Sequence, residues 1–197
     1  VDNLLLTGSR TAINLRYLGA RFHIEGNIIE AADGISSQSY RDVRVARNRI
    51  RASYRAAIYA DNYPDNWTIC NNVFHDVTGS DPTLPDGVGV AFRVKSNPAL
   101  TICNNTMIRF PEPGARAIWF SEAADKAVVF NNLIVGVATG LVFDAGCAAT
   151  ADWNAFWQIG TTHAGAAAGA HDQVADPLFW DEEALVLLPL AAGDATG

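Results

Sequence analysis

With 197 residues, 49% of them hydrophobic and 18% charged, the chain has enough apolar material for one core and is short for two domains. Its formal net charge of −7 excludes a general nucleic-acid binder, because neutralising phosphates takes an excess of Lys and Arg. No stretch of roughly 18 apolar residues runs unbroken, and the best candidate, "VVFNNLIVGVATGLVF" at 128–143, holds two asparagines that are costly to bury in lipid, so no membrane span is expected.

The chain opens on "VDNLLLTGSR", which lacks a charged start, an apolar signal core and a cleavage site, and reads as a mature or excised segment. Taken in order, "AINL" at 12–15 is the forerunner of a phrase that returns as "GISS" at 34, "AIYA" at 57, "GVAF" at 89, "AIWF" at 117 and "GLVF" at 140. Interleaved with it runs a second phrase: "FHIEGNII", "VRVARNRI", "WTICNNVF", "LTICNNTM" and "AVVFNNLI". Its asparagines fall at 27, 48, 72, 105 and 132, spaced by 21, 24, 33 and 27 residues, and "DWNAFW" continues with Asn154 after 22 more. Alternation of period two marks strands, and the spacing is too long for hairpins. Two short strands per repeat of about two dozen residues describe a solenoid whose rungs stack as parallel sheets. Asparagines recurring at a bend would then hydrogen-bond from rung to rung, satisfying amides that are otherwise expensive to bury.

Segments 76–88, "DVTGSDPTLPDGV", and 109–116, "RFPEPGAR", are rich in Pro, Gly and Asp and are expected to leave the coil as surface loops. "HAGAAAGAH" at 163–171 has little to bury and reads as a flexible connection, within 163–174, to a terminal segment over 175–197. The expectation is one domain over 1–197.

The recurring V-x-I-x-x-N-x-I phrase followed by G-I-x-x resembles the right-handed parallel β-helix repeat of the pectin-lyase-like superfamily, over roughly residues 12–160. The closing "ADPLFWDEEALVLLPLAAGD" looks like the final segment of bacterial members, with "LAAGDATG" where a Ser-Pro pair is usual; with no evident amphipathic N-terminal cap, this suggests a short or trimmed helix. The resemblance implies an all-β fold of about 6–8 rungs with an asparagine ladder, an extracellular or periplasmic setting, and a polysaccharide partner. Activity does not follow from this fold alone.

Aligning the second strands places Ile13, Ile35, Ile58, Val90, Ile118 and Leu141 in one inward column, and Leu15, Ser37, Ala60, Phe92, Phe120 and Phe143 in another. The outward rows then bring Asp61, Tyr63, Arg93 and Lys95 together, flanked by Tyr59 and Trp119. Exposed aromatic rings and Arg suit a carbohydrate bearing carboxylates. In a uronate-cleaving lyase Arg93 would neutralise the carboxylate, Lys95 would be the base, Tyr63 would protonate the leaving oxygen, and Asp61 or Glu122 would help hold a calcium ion. An ordinary Asp61–Arg93 ion pair explains the same residues. A hydrolase would need a carboxylate pair such as Asp61 with Glu122, or Asp81 or Asp86 from the loop. A non-catalytic carbohydrate-binding or surface-displayed module is the further alternative.

Glu30, Arg51 and His75 form a second outward row, and Arg51 also belongs to a basic patch with Arg41, Arg44, Arg47, Arg49 and Arg55. That row would grip an anionic polymer or serve as a solvated face. Three cysteines make neither a disulfide framework nor a CxxC zinc site, and Cys70 and Cys103, sharing a column, are expected as free thiols. His163, His171, Asp172 and Asp176 match no familiar metal spacing and read as surface groups.

Overall fold

A computed structural model describes residues 4–16, 19–62, 64–79, 87–94, 99–121, 124, 126–165, 167–181 and 186–187. Their fold is an all-β parallel solenoid of three sheets, with six complete turns among the described residues. Sheet one stacks Ala20–Glu25, Arg41–Ala46, Asp65–Cys70, Leu100–Cys103, Ala127–Phe130 and Thr150–Asp152. Sheet two continues from the early parts of Leu5–Leu15 and Ile28–Gln38 through Arg49–Ala52, Val73–His75, Thr106–Ile108, Leu133–Val135 and Ala155–Trp157 to Gln173–Val174. Sheet three takes the later parts of those two long strands, then Ala56–Asn62, Val88–Val94, Arg116–Phe120, Thr139–Phe143 and Thr161–Ala164. Past the solenoid, Phe179–Asp181 and Val186–Leu187 pair antiparallel.

Each sheet sends inward columns of side chains to the core. Ile24, Val45, Ile69, Ile102 and Val129 come from sheet one; Ile29, Ile50, Phe74, Met107, Ile134 and Phe156 come from sheet two, and all are buried. In sheet three, Ile13, Ile35, Ile58, Val90, Ile118 and Leu141 hold the register that the repeat predicts. Each such side chain contributes about 1.5–3 kcal/mol by leaving water. The residue before this column is always Gly or Ala, because the next rung lies close. A Cβ added at Gly89 would sit 2.6 Å from the Ala117 carbonyl oxygen, and one at Gly34 would sit 2.4 Å from that of Ala57.

The paired asparagines divide two tasks at the bend between sheets one and two. Asn71, Asn104 and Asn131 are exposed and left-handed, with φ of 58°, 54° and 53°, a conformation that Asn tolerates better than most residues. Their successors Asn72, Asn105 and Asn132 are buried and form the ladder. Asn27 Nδ2 donates to Asn48 Oδ1 at 2.9 Å, and Asn48, Asn72, Asn105 and Asn132 each donate to the next asparagine at 3.0 Å. The main-chain N of each donates to the same oxygen. The remaining Nδ2 hydrogen reaches main-chain carbonyls of its own and the preceding turn, as in Asn105 to Ile69.

Asp172 ends the series. Its Oδ1 accepts from Asn154 N at 2.6 Å and Asn154 Nδ2 at 3.2 Å. Its Oδ2 accepts from Gly169 N and lies 2.9 Å from His163 Nε2. A last rung needs only an acceptor, and a carboxylate is one. His163 stands in register with Leu141, in the inward column, with its ring edge-on to Phe156 at 5.2 Å. The surface histidine expected here is therefore buried under the end of the core. The Ala/Gly tract read as a flexible connection is tied at both ends, by the strand Thr161–Ala164 and by Asp172 with Gln173–Val174. His171 is exposed, stacked on Trp153 at 4.0 Å, with its Nδ1 2.8 Å from Asp152.

Candidate functional site

The outward row of sheet three has the expected register, from Asn14 and Ser36 through Tyr59, Ala91 and Trp119 to Val142. Its rings are not open, however. Tyr59 and Trp119 are 6% and 8% exposed and join Ala56, Val88 and Val142 in a second apolar cluster outside the main core. The Arg55 guanidinium lies 4.1 Å over the Tyr59 ring, fixed there by Asp33 at 2.8 Å. Trp119 Nε1 donates to Asp144 Oδ2 at 3.0 Å, and Arg116 lies 5.3 Å from its ring. These two aromatics are packing groups, which corrects the expectation of open stacking faces.

Two residues further along, Gln38, Asp61 and Arg93 are successive register partners, so Asp61 and Arg93 are vertical neighbours. Asp61 is half-buried and accepts from the Asn62 main-chain N at 2.7 Å. The Arg93 side chain, Tyr63, Lys95, Glu122, Asp81 and Asp86 lie outside the described residues.

The basic patch is dispersed. Arg44 and Arg47 both bind Glu25 at 2.7 Å, and the Arg44 hydrogen bond holds that carboxyl below the usual carboxylate range. Arg55 is taken by Asp33, and Arg49 Nε donates to His75 Nε2 at 3.0 Å. Since that nitrogen must accept, the His75 ring proton sits on Nδ1 and goes to Asp76 Oδ2 at 2.9 Å. His75 is thus buried and committed, which corrects its placement as a substrate-binding group. Burial of Asp76 opposes its ionisation, but hydrogen bonds from Arg109 and His75 overcome this and bring its pKa to about 2 from 3.8. A carboxyl lowered on folding stabilises the protein above pH 4, and that contribution disappears as pH falls toward 2. Stability measured by urea unfolding at stepped pH is expected to fall more steeply across this window in the native chain than in Asp76→Asn; equal slopes would overturn the assignment.

An open surface lies at the bends between sheets two and three in the first turns. Gly8, Glu30, Ala31, Arg51 and Ser53 line a groove of about 260 Å³, and Arg10, Thr11, Ala32, Asp33 and Tyr54 line an adjoining one of about 280 Å³. Arg10, Arg51 and Tyr54 are exposed, and Glu30 and Arg51 are register partners that form no ion pair. The buried Asp33 forms the floor, held by Arg55 and by Thr11 Oγ1 at 3.2 Å. Sequence reasoning selected Arg51 and missed Arg10, Ser53 and Tyr54. The signal that would have found them is register, since Thr11 pairs with Asp33.

Residues 1–156 match the family described as the right handed beta helix region, well over half of the chain. The chain belongs to this family. No curated protein and no solved structure matches it. This right-handed β-helix is consistent with the pectin-lyase-like resemblance of its repeat. Among its described residues no helix is long and apolar enough to cross a membrane, and no three His, Cys, Asp or Glu side chains converge as metal ligands. What the β-helix does present is two exposed arginines beside hydroxyl groups, an arrangement that can pair with carboxylates while the hydroxyls meet neutral oxygens.

Proposed function

We propose that this β-helix acts on an acidic, uronate-containing polysaccharide, binding it along the bends of its first turns and cleaving it by β-elimination on the outer face of sheet three. The observation that carries the reading is the pair of adjoining grooves bearing Arg10, Arg51 and Tyr54. The strand register that pairs Arg93 with Asp61 supports the catalytic half. In that scheme Arg93 neutralises the uronate carboxylate, Lys95 removes the adjacent proton, Tyr63 protonates the leaving oxygen, and Asp61 holds Arg93 or shares a calcium ion with the substrate. An extracellular or periplasmic setting goes with such a substrate.

The covered rings of Tyr59 and Trp119 favour a second reading, a non-catalytic carbohydrate-binding module, since they leave no open stacking face beside the proposed centre. Incubation with pectate, alginate and glycosaminoglycans, with and without calcium, separates the two. New absorbance from an unsaturated product is expected for elimination. Reducing ends without that absorbance would mean hydrolysis, and retention without either product would mean binding alone. Arg51→Ala is expected to weaken retention about 10- to 150-fold, the loss of one charge-assisted hydrogen bond of roughly 1.5–3 kcal/mol. Unchanged retention would remove the groove from the site.

A further inference from the structure

We propose that Cys70 and Cys103 form a two-coordinate site for a soft monovalent metal ion of the copper(I) class, on the outer face of sheet one. The two residues are register partners on adjacent parallel strands, with Ala46 one rung before them and Phe130 one rung after. Side chains in register on parallel strands project side by side about 4.8 Å apart. That spacing is poor for a disulfide, which brings the sulfurs to about 2.05 Å and the β-carbons to about 3.8 Å. None of the three cysteines is bridged. The spacing suits an ion seated between the sulfurs, because two metal–thiolate bonds of about 2.3 Å laid end to end cover about 4.6 Å.

The surroundings select the same class of ion. Cys70 and Cys103 are 5% and 8% exposed and cluster with Ala46 and the half-buried Phe130, apolar neighbours that themselves supply no ligand to a hard, hydrated cation. A donor set of two thiolates alone favours a soft ion. Uptake releases one proton from each thiol and transfers no electron, leaving a single negative charge on the bis-thiolate unit. Arg44, on the same face, acts electrostatically on both sulfurs and would offset that charge.

The test is titration of the fully reduced whole chain with copper(I) against a chromogenic copper(I) chelator. One ion retained per chain is expected, kept by Cys147→Ser and lost equally by Cys70→Ser and Cys103→Ser. X-ray absorption of the loaded native chain is expected to show two sulfur neighbours, which tests the site even if a variant fails to fold. No retention, retention surviving either single substitution at the pair, three or more sulfur neighbours, or a Cys70–Cys103 disulfide forming readily in the metal-free chain would each overturn the proposal.

Discussion

Asn105→Ala is expected to destabilise the protein severely while Asn104→Ala, one residue away, costs little. Removing the Asn105 side chain leaves the buried Asn72 N without its acceptor at 3.0 Å, takes from Asn72 Nδ2 one of three acceptors, and ends the donation of Asn105 itself to the Ile69 carbonyl and Asn132 Oδ1. The orphaned donor costs about 1–3 kcal/mol and each further hydrogen bond lost about 0.5–1.5 kcal/mol, against a total stability of about 5–15 kcal/mol for a typical domain. Asn104 is exposed, and its replacement forfeits only the tolerance of Asn for positive φ, about 1–2 kcal/mol. Urea unfolding midpoints of the two variants measure the difference. Equal losses would mean that the ladder contributes no more than the turn.

Trp67→Ala should be the other large loss, about 3–5 kcal/mol for truncating a fully buried aromatic side chain. Trp67 stands in the inward face of sheet one, in register with Val43 and Leu100, and its Nε1 donates to the Tyr40 carbonyl at 2.9 Å. Trp67→Phe is expected to recover most of the loss, because the Tyr40 oxygen still accepts from Asp65 N at 3.2 Å and is not orphaned. Trp153→Ala serves as the contrast. That ring is 56% exposed and forfeits its stacking on His171, about 0.5–1.5 kcal/mol. If the two alanine variants unfold at the same denaturant concentration, the inward placement of the Val43, Trp67 and Leu100 column is wrong.

The fold was legible because its determinants repeat. Asn27 to Asn154 recur at one structural position, and hydrophobic alternation around them sets which face each strand buries, so columns such as Ile13 to Leu141 could be aligned by eye. The end of the coil was legible in principle as well. His163 follows Leu141 by the same 22 residues that separate Asn132 from Asn154, and "HDQV" repeats the ladder phrase with Asp for Asn. Composition hid both, since the Ala and Gly around them suggest a loose chain.

The site was less legible, for a different reason. Periodicity says which way a side chain leaves the sheet but not whether a neighbour reaches over it. Tyr59 and Trp119 do point outward, yet Arg55 bends across one ring and Asp144 holds the edge of the other. His75 likewise leaves the core and is then bonded by Arg49 and by Asp76, which Arg109 holds in turn. Long, flexible arginines make these contacts, and their trajectories are set by partners on other rungs rather than by sequence spacing.

The series of side-chain bonds from Asn27 to Asp172 also has a direction. Each ladder asparagine gives its main-chain N–H and one side-chain hydrogen toward the later turn, so a freshly docked coil shows an unanswered main-chain donor and an amide short of one acceptor along its leading edge until the following coil arrives. A chain made from its N-terminus meets that demand in the order of synthesis. Asp172, which accepts and asks for nothing more, is the full stop.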